Sequence, residues 1–293
     1  MDTDKCAALL RVIEKGSLSA AASELGYTPS GISRLVASLE AEVGFPLLVR
    51  SKAGVAPTEE CERLMPVMAE LAALGRTFSE KAAALKGLES GSLRVGSAYR
   101  QLYGPLARIL AEFARRYPGV RVDMVQANST YLAGQLRRRE ADFCIMSKRE
   151  GLERWVPLLQ DRMVAVLPKD HELAQAKSYP IERFSSDSFI EIYPGEESDN
   201  SRTLAKAGVN VEPRFSVFDT HAAFALVEAG LGVTMMNEIY AEATDADIVW
   251  VPVRPNTVIE LGVGLPAAEL SSPALDVFEN FALPKLQTQV KRG

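Results

Sequence analysis

Between Ser17 and Gly44 the apolar positions fall at the three-and-four spacing of short helices, interrupted by residues that start and stop them. Ser17 is a good N-cap, Leu18, Ala21, Ala22 and Leu25 share one face, and Gly26 suits a left-handed C-cap. Thr28 is expected to cap a second helix, with Pro29 at its first position, where an absent N–H costs nothing. In that helix Ile32, Leu35, Val36, Leu39 and Val43 form a buried stripe, and Ser30, Ser33, Arg34 and Ala37 lie opposite. Small hydroxyls let a helix approach a DNA major groove closely, and an Arg among them reaches phosphate or guanine. The same spacing also fits an ordinary helical hairpin with a solvated face.

Residues 4–14 form a preceding helix whose Ala8, Leu9, Val12 and Ile13 brace this pair. After Val43, the stretch Phe45 to Thr58 is β-leaning and broken by Gly54 and Pro57, which predicts a two-stranded wing with Lys52, Ala53 and Gly54 at its tip. From Thr58 to Leu88 the pattern is helical again. Leu64, Leu71, Phe78 and Leu85 repeat every seven residues, Val67, Leu74 and Leu88 fill the second seam position, and Lys81 interrupts it. A seam this narrow calls for a partner helix, so the segment reads as a linker that pairs two chains; packing on its own domain is the other reading. Pro66 predicts a kink or a bend near its start.

Past a boundary at Gly87 to Gly91, strands alternate with helices: LRVGS, a helix from Gly104 to Tyr117, VRVDMVQ, a helix from Thr130 to Arg139, then FCIM. Two apolar strands, RMVAVLP and ELGVGLP, bracket further units: FIEIY, a helix at Arg202 to Ala207, PRFSVF, a helix at His221 to Ala229, GVTMM and DIVWVPV. Alternation of this kind predicts parallel βαβ units with ligands beyond the carboxyl ends of strands. If both apolar strands cross between lobes, they enclose an inserted second lobe and leave a cleft.

The run GSLSAAASELGYTPSGIS, RLVASLEAEVG, FPLLVR and APT resembles the winged helix-turn-helix of the LysR-type transcriptional regulators. Two positions depart from that pattern: Pro29 stands where the family usually has a DNA-touching Gln, and Cys61 where a Gly commonly follows the wing. LPKDHEL and VEAGLGV are similar to landmarks of the family's effector domain, itself like two-lobed periplasmic solute-binding proteins. The resemblance implies an α-rich winged helix-turn-helix at residues 1–58, a linker and dimerisation helix at 59–89, and an α/β effector-binding domain at 90–293. Lobe I is expected at about 90–162 and 265–293, and lobe II at about 163–264.

A hydrophobic content of 47% with a net charge of −5 fits a globular chain. No apolar run approaches the roughly 18 residues of a membrane span, and MDTDKCAALLRV lacks the basic start and apolar core of a signal peptide, so a cytoplasmic protein is expected. Cys6, Cys61 and Cys144 are scattered, and only His171 and His221 accompany them, which predicts neither a zinc site nor a disulfide framework; no cofactor is implied. The family's peroxide sensors need a cysteine pair in the sensory domain, and Cys144 stands alone there. Acids and bases balance in the first 58 residues, against the basic footprint a DNA binder should show.

The expected DNA contacts are Thr28, Ser30, Ser33, Arg34, Arg50 and Lys52, and the expected dimer seam is Leu64, Leu71, Leu74, Phe78 and Leu85. Strand ends facing a cleft supply Ser97, Arg100, Asn128, Ser129, Thr130, Ser147, Arg149 and Thr220 as effector contacts. Asn128 to Thr130 would start a helix whose free N–H groups favour an anion, although plain capping explains them too. Ser97, Asp219 and His221 are the residue types of a hydrolytic triad, but no G-x-S-x-G elbow surrounds Ser97, so no enzyme is expected. The acidic run Glu196, Glu197, Asp199 reads as a solvated loop. A DNA-binding regulator, forming homodimers or tetramers and controlled by a small polar, preferably anionic effector, accounts for the chain best. The alternative is a solute-receptor-type binding protein without transcriptional role, which would have no use for the first 58 residues.

Overall fold

The computed structural model describes residues 2–51, 54–84 and 91–290. Helix α1 (Thr3–Lys15) is followed by α2 (Leu18–Leu25) and α3 (Pro29–Val43). Each starts on a side-chain cap: Ser17 Oγ accepts from Ala20 N and Thr28 Oγ1 from Gly31 N. Gly16, Gly26 and Gly44 end these helices with φ of 60°, 71° and 86°, a region where a Cβ is strained. Ala21, Ala22, Ile32, Val36 and Leu39 close on Leu9 and Val12 of α1 to make the core of this head.

Strands β1 (Leu48–Ser51) and β2 (Gly54–Pro57) form the antiparallel wing. Glu40 of α3 pins its base, accepting from Leu47 N at 2.8 Å and Leu48 N at 3.2 Å. Helix α4 (Glu59–Ala84) runs through Pro66 without a break. Its Cys61, Met68 and Ala72 are buried in the head's core, with Leu64, Met65 and Leu71 half-buried against it. The α1–α4 approach is close enough that a Cβ on Gly75 would meet the Thr3 side chain at 2.6 Å.

Of the expected seam residues, Leu64 and Leu71 are half-buried against the head's own core. Among the described residues of α4, the exposed large apolar side chains are Val67 (52% exposed), Leu74 (44%) and Phe78 (76%). Leu85 and Leu88, like Gly87 and wing residues Lys52 and Ala53, lie outside the described residues.

The larger domain comprises β3 (Gly91–Ser97), α5 (Tyr103–Arg116), β4 (Val120–Gln126), α6 (Ser129–Arg137), β5 (Phe143–Ser147), β6 (Arg154–Pro168), β7 (Tyr179–Pro180), β8 (Phe189–Ile192), α7 (Asp199–Lys206), β9 (Pro213–Val217), α8 (Thr220–Glu228), β10 (Thr234–Asn237), β11 (Ile248–Arg254), β12 (Val258–Leu265) and α9 (Pro273–Val290). The main sheet runs β4-β3-β5-β12-β6-β11-β7, with β10 also on β6. Parallel pairing holds for β3 with β4 and β5, whereas β12, β10 and β11 all run antiparallel to β6, so the sheet is mixed.

Strand β6 is the spine of both lobes. Arg154 to Arg162 pair with β12 in lobe I, and Met163 to Pro168 pair with β10 and β11 in lobe II. The chain returns to lobe I at residues 255–257, not through ELGVGLP as expected: β12 pairs along its length with β5 and the first half of β6. Two extended segments side by side therefore join the lobes. Lobe I closes when α9 lays Phe278 edge-on against Phe113, 5.0 Å between centroids, and Phe143, 5.1 Å. Lobe II has cores on both faces of its strands, one around Phe184 and Met235, the other around Phe224 and Ile190.

Candidate nucleic-acid interface and interlobe site

On the outer side of α3, Ser30 and Arg34 are exposed, and Arg34 Nε donates to the Ser30 carbonyl at 3.4 Å. The wing folds back so that Arg50 Nη2 donates to Ser33 Oγ at 3.4 Å, which puts Arg50 and the polar edge of α3 on one surface. Thr28 Oγ1 is within 3.1 Å of Ser30 Oγ at its upper end. The charge balance of the head no longer counts against DNA. Lys5 is paired with Glu42, and Arg11 and Lys15 with Glu24, away from this face. Among the described residues neither Arg34 nor Arg50 has a carboxylate partner, so both charges are available to phosphates. Tyr27, exposed at the turn before Thr28, was not singled out by periodicity.

The interlobe cleft is narrow, with about 60 Å³ of free space, and a carboxylate from lobe II fills its polar centre. Asp199, first residue of α7, accepts from Tyr99 Oη at 2.9 Å and Ser147 Oγ at 2.6 Å, and pairs with Arg149 Nη2 at 3.0 Å. All three donors belong to lobe I. Arg149 also donates to Ser147 Oγ and to Thr130 Oγ1, so its fork is fully engaged. Both partners of the ion pair are nearly buried, at 5% and 11% exposure, so removing either leaves an uncompensated charge at a cost of about 3–5 kcal/mol.

Further bonds hold the lobes together: Thr130 Oγ1 to Glu197 O at 2.6 Å, Tyr240 Oη to Ala98 O at 3.3 Å, Asn128 to Glu196, and Arg100 to His221. Burial beside Asp199 pushes the Tyr99 hydroxyl well above the usual tyrosine range, so it stays a donor at all physiological pH. Tyr193, which lines the cleft, is held at φ 61°, a strained conformation for a non-glycine residue. Asn237, 3% exposed, also lines it, with its side-chain amide turned to the Asp161 carboxylate.

Of the expected effector contacts, Asn128, Ser129, Arg149 and Thr220 line the cleft. Asn128 caps α6 by accepting from Tyr131 N, and Ser129 Oγ accepts from Ser147 N. Ser147 and Thr130 act from behind Arg149, and Arg100 sits at the rim with His221. Ser97 does not reach the cleft. It is buried, and its hydroxyl is consumed by the backbone of Tyr99, accepting from N at 3.4 Å and donating to O at 3.2 Å; it positions the tyrosine instead. No triad forms either, since Asp219 is spent capping Ala222 N and His221 faces Arg100.

Asp199 is the residue whose importance the pattern concealed. It lies in an acidic run, and the useful signal was the Ser198-x-x-Ser201 capping box, which starts a helix at Asp199 instead of leaving it in a loop. The cysteines are buried, and burial pushes the thiols of Cys61 up to about 11 and Cys144 up to about 12, which suppresses thiolate chemistry. Among the described residues no helix is long and apolar enough to cross a membrane.

Comparison with known proteins assigns both halves of the chain. Residues 3–62 match the model of the bacterial regulatory helix-turn-helix protein, lysR family, and residues 86–287 that of the LysR substrate binding domain. A probable HTH-type transcriptional regulator, LrrA of Synechococcus elongatus, is 27% identical, covering 92% of each chain. In fold the chain is similar to full-length OxyR C199D of Pseudomonas aeruginosa, with a TM-score of 0.70 at 20% identity over 98% of this chain and 95% of that one. It is also similar to full-length CbnR solved with its target DNA, with a TM-score of 0.60 at 18% identity over 97% and 100%. The chain belongs to the LysR family: it is a DNA-binding transcriptional regulator whose C-terminal domain takes a small-molecule effector.

Proposed function

We propose that this regulator senses a small carboxylate, or a similar anion, that displaces Asp199 from the interlobe cleft. The observation that carries this reading is the Tyr99, Ser147 and Arg149 donor set closed around the Asp199 carboxylate. A donor set that already holds a carboxylate has the geometry to hold another. A ligand anion cannot be added beside Asp199, because two carboxylates would then share one guanidinium. Binding is therefore coupled to withdrawal of α7, and with it lobe II. Linkage limits the consequence at DNA to the ligand's preference between the two arrangements, typically about 1–3 kcal/mol.

On the DNA side, α3 enters the major groove through Ser30, Ser33 and Arg34, and the wing brings Arg50 to the flanking backbone, with Thr28 at the helix start. Two chains pair through the exposed Val67, Leu74 and Phe78 edge of α4, as a dimer or within a tetramer, and the protein works in the cytoplasm by binding and not by catalysis.

The test is calorimetric titration of the full-length protein with a panel of small mono- and dicarboxylates, repeated on Asp199→Asn. Freed of its internal competitor, the variant should bind the same carboxylate roughly tenfold tighter or more, which is about 1.4 kcal/mol. Equal or weaker binding by a folded variant would show that the effector does not take the Asp199 position.

A further inference from the structure

Lobe II contains a cavity with about 210 Å³ of free space, against about 60 Å³ in the interlobe cleft, and the start of α7 lines both. Its walls are one face of α7, β8 and the chain that leads into β9. Strand β9 is bowed beside it: the pairs Phe189–Pro213 and Ile190–Phe215 leave Arg214 as an extra residue on β9, and a bulge of this kind bends the strand that carries it.

Most of the wall is apolar. Phe189 and Leu204 are buried in the lobe II core, with Val209 and Val211 half-buried against it. A cavity of about 150 Å³ holds a benzene ring, so this one has room for a ring with a short side arm. Glu191 is the one charged residue on the wall. By the alternation of a strand it shares a face of β8 with Phe189, and its Oε2 accepts from Ser216 Oγ at 3.3 Å. Among the described residues no cation pairs with it, so a half-buried carboxylate borders an apolar chamber without a counter-charge. That combination favours a cation whose body can use the apolar wall. The exposed Ala205, Asn210 and Pro213 mark the mouth.

We propose that this cavity is a second ligand site, taking a small primary amine with a ring-sized apolar body, its ammonium on Glu191 and its body against Phe189, Leu204 and Val211. Ile192, Ser198 and Asn200 line both cavities, and Asp199 sits between the last two. A bound amine therefore braces the segment that holds the Asp199 carboxylate among Tyr99, Ser147 and Arg149, and opposes an anion that must displace it. That consequence rests on Asp199 being the displaceable group proposed above; the site itself does not.

Calorimetric titration of the full-length protein with 2-phenylethylamine, and with 2-phenylethanol as its uncharged counterpart, tests the site. One saturable event per chain is expected, with the amine bound about tenfold tighter or more. Glu191→Gln should remove that preference, and Ala205→Trp, at the exposed mouth, should weaken both probes by about tenfold or more. Asp199→Asn, which removes the carboxylate of the cleft, should still bind the amine. Absence of saturable amine binding, an affinity that neither Glu191→Gln nor Ala205→Trp alters, or loss of amine binding in Asp199→Asn would each overturn the proposal. With the amine at saturation, the affinity for a carboxylate in the cleft should fall about fivefold or more, and an unaltered affinity would overturn the coupling. A protein that binds the amine at this site but none of the carboxylates would refute the displacement of Asp199 and leave the amine site established.

Discussion

Replacing Asp161 by Asn should stabilise the effector domain at neutral pH, by an amount that the position of this carboxyl determines. Asp161 lies on β6 just before the strand passes into lobe II, and it is 7% exposed. Burial raises its pKa from 3.8 to about 6; the Glu238 carboxylate adds to the rise, and the Ile239 and Arg162 backbone N–H groups and the Asn237 amide oppose it. Arg162, the neighbouring cation, is engaged with Glu238 at 2.6 Å. Between pH 3.8 and about 6 the folded chain keeps a proton that the unfolded chain releases, so stability falls as pH rises through that window. The full cost is present above it. A rise of about two units corresponds to about 3 kcal/mol at pH 7.5. An Asn at this position keeps an oxygen for Ile239 N, now 3.2 Å from the Asp161 carboxylate, and carries no charge to desolvate. Urea unfolding followed by tryptophan fluorescence is suitable, because Trp155 and Trp250, the two tryptophans of the chain, sit one in each lobe. The stability difference, variant minus parent, should be near zero at about pH 4 and grow to about 3 kcal/mol above about pH 6.5. A difference that stays constant across that range, or a variant less stable than the parent at pH 7.5, would refute the reasoning.

Arg34→Ala and Arg50→Ala should each weaken operator binding and, where the contact is to phosphate, lower the slope of log affinity against log salt by about one, measured by fluorescence anisotropy over a salt series. If Arg34 reads guanine instead, its loss relaxes sequence preference, and unchanged binding by the folded variant would rule out the docking. Phe78→Glu with Leu74→Glu should break the oligomer in light scattering while the head stays folded. Leu71→Glu should instead lower the melting temperature of the head, because Leu71 packs on the core that α1 closes.

The winged head was legible in the sequence because the forces that shape it are local. Ser17 and Thr28 satisfy N–H groups three residues away, Gly26 and Gly44 adopt conformations that other residues resist, and the apolar stripe of α3 follows from helical period alone. None of this requires knowing where the rest of the chain lies. The alternation of strands and helices beyond Gly91 was likewise readable, since period two and period 3.6 are properties of single segments. That Leu64 and Leu71 pack against the head's core was not, because a heptad of leucines reads the same whether α1 or another helix lies beside it. The return of the chain between the lobes was misplaced for a similar reason: an apolar strand reads the same whether it crosses between lobes or lies within one, and pairing of β12 with β5 and β6 decides. The role of Asp199 depended most of all on tertiary structure. Its partners Tyr99 and Ser147 stand 100 and 52 residues away in sequence, and an acidic residue at a helix start looks the same whether it meets water or a buried arginine. Helix caps and periods are set within a few residues, but a carboxylate's partner is chosen by whatever the fold brings within 3 Å of it.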